Sequence, residues 1–239
     1  MNNFEFDYRD HYNKDADNFD YFEERYGATE HDERRLREYI STLVPENAKT
    51  ILDVGCGSAW IAKTFLPQGK KIISLDISKT NPKKALTRYP SSFHSGLSAD
   101  SFSLPFRNNV LDCVVASEII EHVVSPNDFI NELLRIVKPG GKLIVSTPYK
   151  EKIQYVLCIH CNKVTPLHAH IHTFDEKRLA GYAGNTTFRY YRNGNKVLLH
   201  LRTYIILKYL PFFFWKLIDK FANLLIPKEA HIIAEYIKK

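Results

Sequence analysis

DVGCGSAW, from Asp53 to Trp60, is the stretch on which the fold of this 239-residue chain turns. The apolar run TILDVG at 50–55 leads into it and reads as a buried strand ending at Val54. Gly55 and Gly57 then turn the chain tightly into a helix. Without Cβ atoms, the two glycines let backbone approach a ligand closely at a helix N-terminus. A lone G-x-G is a weak signal, because turns use glycine for many reasons. The third glycine of a dinucleotide fingerprint is replaced by Trp60, which argues against NAD.

Three more short apolar runs follow: KIISLD at 71–76, LDCVVASE at 111–118 and KLIVSTP at 142–148. Helical segments alternate with them, such as Asn127 to Val137, which KPGG stops. That alternation predicts a doubly wound α/β sheet. A helix should precede it, starting near Thr29, with Asp32 three residues on as in a capping box. In the last third, TTFRYYRNGN and HIIAEYIKK read as strands flanking an apolar, basic helical insertion at 197–227. No uncharged stretch there approaches the roughly 18 residues of a membrane span.

A hydrophobic content of 44% with 25% charged residues permits one sizeable core. The net charge of +6 is unevenly spread, with acids and aromatics in the first forty residues and basic residues gathering after Lys177. Nucleic-acid enzymes share that balance with proteins resting on anionic membranes. MNNFEFDYRD lacks the basic start and apolar core of a signal peptide. Cys56 and Cys113 lie in strand-like runs, and Cys158 and Cys161 form a C-x-x-C pair. That is no secreted disulfide framework, and a cytoplasmic location is expected.

Further features fall in order. Asp76 ends the second strand about twenty residues after the glycines, where a carboxylate can accept both ribose hydroxyls. Asp100, in SADSFSLPF, follows a third strand and can meet an adenine amino group. Ser117 and Glu118 close the fourth strand. Together these motifs resemble the class I S-adenosylmethionine-dependent methyltransferases over about residues 30–150. The resemblance implies a Rossmann-like, seven-stranded, mostly parallel sheet with helices on both faces, and S-adenosylmethionine as cofactor. It assigns cofactor binding to Asp53, Gly55, Cys56, Gly57, Asp76, Ile77, Asp100, Ser101 and Ser117. It also implies in-line attack on the sulfonium methyl by an acceptor atom that the enzyme positions and, where needed, deprotonates.

The acceptor side rests on two motifs. SEIIEHV places Glu118, Glu121 and His122 at the mouth of the fourth strand as candidate catalytic residues. If the chain turns helical there, all three share one face and can hold Mg(II) or a similar divalent ion. E-x-x-E-H is similar to the metal-linked motif of ubiquinone-biosynthesis O-methyltransferases and small-RNA 2′-O-methyltransferases; the alternative is that it only shapes the acceptor pocket. CIHCNKVTPLHAHIHTF, Cys158 to Phe174, forms a Cys/His loop within 150–176. Three readings stand: zinc held by Cys158, Cys161 and His170; a metal shared between His122 and His170 or His172; or a polar loop without metal.

Residues 1–30 read as a lid over the site or as an inert terminal helix, with 31–239 forming the methyltransferase domain. At 203–222, Phe212 to Trp215 beside Lys208, Lys216 and Lys220 suit either peripheral contact with the inner membrane face or a helical cap. The expected activity is methyl transfer to a hydroxyl of a small-molecule or lipid-linked acceptor. An RNA methyltransferase and a non-enzymatic, zinc-stapled scaffold are its rivals. The acidic N-terminus and the lack of an RNA-binding module oppose nucleic acid.

Overall fold

The apolar runs become strands, and their alternating side chains divide the core in two. The computed structural model describes residues 6–159 and 162–239. Five strands pair in parallel: β1 (Thr50–Val54), β2 (Lys71–Asp76), β3 (His94–Ser98), β4 (Leu111–Ser117) and β5 (Val137–Pro148). A short hairpin follows, β6 (Tyr155–Leu157) with β7 (Val164–Pro166). The last strands, β8 (Thr186–Asn195) and β9 (Glu229–Lys238), are antiparallel additions, with β9 inserted between β5 and β8. The resulting seven-stranded sheet runs β3-β2-β1-β4-β5-β9-β8. Strand order reverses between β1 and β4, so a crevice opens beyond their C-terminal ends.

Nine α-helices complete the described residues. They are α1 (Tyr8–Asn18), α2 (Gly27–Leu43), α3 (Trp60–Phe65), α4 (Thr80–Arg88), α5 (Pro126–Ile136), α6 (Glu176–Ala180), α7 (Lys196–His200), α8 (Tyr204–Leu207) and α9 (Phe212–Leu225). Along β4, Val114 and Ala116 join the core cluster under α5, while Cys113 and Val115 join the one under α2 and α3. The period of two thus gives the sheet two apolar faces, each covered by helices. Burying Phe129, Ile130 and Leu133 of α5 contributes about 1.5–3 kcal/mol per side chain.

The insertion between β8 and β9 contains α7, α8 and α9, as the apolar spacing predicts. It is pinned by Trp215, whose ring lies 5.1 Å from the Arg35 guanidinium, and by Asp219, which accepts the Gly194 amide at 3.2 Å. One sequence expectation fails. α2 starts at Gly27 behind Tyr26, not at a Thr29 cap. Asp32 does not close a capping box either, because its carboxylate turns to His231 on β9.

Candidate active site

The loop after β1 has the strain that its glycines foretell. Gly55 sits at φ 67°, and a Cβ there would lie 2.2 Å from Ile119 Cδ1. At Gly57, φ 43°, an added Cβ would lie 3.5 Å from the Tyr21 ring. Asp53 is buried below the loop, with one carboxylate oxygen lacking any partner. Burial, then the charge of Asp76, pushes its carboxyl well above the usual range. Cys56 donates its amide to the Leu75 carbonyl at 2.9 Å, and its thiol is buried and pushed far up.

Asp76 ends β2 beside that loop. It accepts from the Ser78 amide at 3.0 Å and the Asn81 side chain at 3.1 Å, which fixes the carboxylate rotamer and leaves further lone pairs. Ile77 and Ser101 are half-buried at the neighbouring strand ends, and Ser117 Oγ lies 3.0 Å from Ser146 Oγ. A ligand with an amino acid moiety at the glycine turn and a ribose at Asp76 fits this donor set. The chemistry is that of S-adenosylmethionine.

α1 lies across all of this. Tyr8 Oη donates to Asp100 at 2.7 Å, and Arg9 holds the same carboxylate at 2.6 Å. The Tyr12 ring meets His122 edge-on at 5.8 Å. Thr80 donates to Asp17 at 2.8 Å, and Lys84 lies 3.2 Å from Asp20. The N-terminal segment therefore touches the loops after β1, β2, β3 and β4. Both Asp100 oxygens are occupied, one by the arm and the other by the Phe102 amide.

The E-x-x-E-H segment is a turn rather than a helix. Glu118 adopts φ 56°, so the three side chains do not share a helical face. Glu118 Oε2 turns to His231 at 3.2 Å, while Glu121 and His122 turn to His170. One ligand atom from each of Glu121, His122 and His170 lies within 4.8 Å of the others. Neither Glu121 oxygen has a hydrogen-bond partner, and burial followed by the Glu118 charge holds its carboxyl well above the usual range. His122 Nδ1 donates to the Ala169 carbonyl at 3.4 Å, and His170 Nδ1 lies 2.5 Å from Glu151. Both Nε2 atoms are thereby left as lone-pair donors. Burial, then the neighbouring imidazoles, pushes His122 down to about 3, so it is neutral. A buried carboxyl group without a hydrogen-bond partner, beside two imidazoles each held through Nδ1, is a donor set that a divalent cation can use.

The histidine loop thus divides differently from the sequence reading. His170 reaches the cluster and His172 does not, because Arg178 lies 3.3 Å from His172 Nδ1 and opposes a second cation there. Cys158 sits at the tip of the β6–β7 hairpin, outside that cluster, with its amide bonded to Lys163. Cys161 lies outside the described residues. Four functional neighbours escaped sequence reasoning: Tyr12, Tyr21, Glu151 and His231. His231 Nε2 lies 2.9 Å from Asp32, and Nδ1 faces Glu118. Burial opposes its charge, but the two carboxylates outweigh it and hold the imidazole protonated. No local motif marks His231, since its partners are 113 and 199 residues away.

Known proteins share the central domain and its fold. Residues 52–145 match the family described as Methyltransferase domain. The mitochondrial ubiquinone biosynthesis O-methyltransferase of Dictyostelium discoideum is 30% identical over 131 residues, covering 48% of this chain and 40% of that protein. The malonyl-[acyl-carrier protein] O-methyltransferase of Buchnera aphidicola is 33% identical, covering 41% of this chain and 39% of that protein. The chain thus matches half or less of these relatives' length. An S-adenosylmethionine-dependent methyltransferase from Mesorhizobium loti shares the fold, with TM-score 0.58 and 14% identity over 83% of this chain and 95% of the other. Residues 52–145 thus carry a methyltransferase domain, and the strand order and glycine turn around it are the fold of the S-adenosylmethionine-dependent methyltransferases.

Proposed function

We propose that this protein transfers the methyl of S-adenosylmethionine to a hydroxyl oxygen of a small-molecule or lipid-linked acceptor, assisted by a divalent ion between Glu121, His122 and His170. The observation that carries the reading is the partnerless Glu121 carboxylate, facing two imidazoles whose other nitrogens are already tied down. The cofactor supplies an electrophilic methyl on sulfonium. A divalent cation at the trio supplies Lewis-acid polarisation of the acceptor hydroxyl. Glu121 and the two imidazoles bind, Ala169 and Glu151 hold the rings in register, and Asp76 anchors the ribose. Without the cation, the lone pair of His122 Nε2 would orient the acceptor hydroxyl by accepting its hydrogen bond. The N-terminal arm acts as the lid that excludes water from the reacting atoms. Two imidazoles and one carboxylate suit zinc or a similar transition metal better than magnesium.

Metal content and S-adenosylhomocysteine affinity test this together. A stoichiometric divalent ion should be present in the wild type and in Cys158→Ser, and absent from His170→Ala. Asp76→Ala should keep the ion but lose on the order of 2–4 kcal/mol of cofactor affinity by calorimetry. An ion lost with Cys158 and kept without His170 would move the metal to the hairpin and refute the shared site.

A further inference from the structure

The α7–α9 insertion carries an inverted helix. On α9, Phe213, Leu217, Phe221 and Leu224 recur at helical spacing and face outward, with Phe213, Phe221 and Leu224 exposed by 64%, 62% and 79%. Phe214, Ile218 and Leu225 widen the same stripe. The opposite face is the one that packs, through Trp215 and Asp219. The surrounding segment adds Ile206 and Tyr209, exposed by 73% and 78%. An apolar stripe of this breadth normally lies against something.

Charge identifies the occupant. Within 196–228 the exposed charged residues are Lys196, Arg202, Lys208, Lys220 and Lys228. The sole acid, Asp219, is buried. A second copy of this face would bring like charges together with no acid to pair them. An anionic bilayer complements both features at once, taking aromatic and aliphatic side chains into the headgroup boundary while lysines meet phosphates. No helix among the described residues is long and apolar enough to cross a membrane, so the contact is one of lying on the surface.

We propose that α8 and α9 form an interfacial anchor that seats the protein on anionic phospholipid. This inference stands independently of the methyl-transfer reading. It also revises the contact set that the sequence suggests. Trp215 is turned inward over Arg35, Phe212 stacks on Trp215 at 5.9 Å, and Lys216 lies 4.0 Å over the Tyr39 ring. Those three hold the helix to the body, and the outward stripe makes the contact.

Vesicle flotation decides it. The full chain should float with vesicles of phosphatidylcholine containing about one-third phosphatidylglycerol, and bind pure phosphatidylcholine at least about tenfold more weakly. Phe213→Glu with Phe221→Glu should abolish flotation while leaving circular dichroism and S-adenosylhomocysteine binding unchanged. Lys208→Glu with Lys220→Glu should remove the preference for anionic lipid. A wild type that stays at the bottom overturns the proposal, as does a double phenylalanine variant that still floats. A concentration-dependent mass in ultracentrifugation, without flotation and lost in the phenylalanine variant, would assign the stripe to a second copy instead.

Discussion

At the level of single residues the site depends on groups with no room to vary. Gly55 combines a left-handed backbone with an Ile119 side chain packed where a Cβ would stand. Gly55→Ala should lose about 1–3 kcal/mol of stability and at least tenfold in cofactor affinity. Urea unfolding and calorimetry measure the two losses. Ile119→Ala in the same chain should recover part of the stability but not the affinity, because it relieves the clash and leaves the backbone strain. Full recovery of both would show that backbone geometry is irrelevant. Gly55, Gly57 and Asp76 were legible in the sequence because local chemistry dictates them: a turn, a close approach, a strand end. Tyr12 and His231 were not, since each acquires its role only from a distant segment.

Among the elements, α9 is informative because its burial contradicts its composition. The helix was legible from apolar spacing, but spacing alone cannot say which of two apolar faces is packed. Asp219 settles the face at a cost. Burial, then the nearby Asp32 and Glu229 charges, raises its carboxyl to about 7. The folded chain therefore binds this proton more tightly than the unfolded one, and stability falls as pH rises from about 4 through 7. In Asp219→Asn the share of that fall due to this carboxyl should vanish, giving a gain on the order of 2–4 kcal/mol at pH 8. Unfolding titrations across that range check the sign, and an unchanged pH profile would show that Asp219 is charged when folded. The turn at Glu118 is the converse case. E-x-x-E-H has helical spacing, but the positive φ of Glu118 breaks the helix and parts the two carboxylates.

Across the whole molecule, the N-terminal arm and the last strand complete what the central sheet begins. The parallel strands were readable as runs, whereas the path of the N-terminal segment over four successive loops was not, because polar surface segments carry little positional information. Tyr8→Phe with Arg9→Ala should free α1 from Asp100. Backbone amides at 8–18 should then exchange faster with deuterium, and cofactor should both enter and leave faster. Unchanged exchange there would mean that the arm is held elsewhere. The place of β9 has a further consequence, for the chain's birth. Asp32 emerges from the ribosome 199 residues before the histidine it will face. At typical synthesis rates that interval is roughly 10–40 s. In the later part of it, once β5 has emerged, that strand's outer edge has no neighbour and Asp32 and Glu118 both await their counter-charge, so the nascent chain passes through a state open to strand-edge association until β9 slides home.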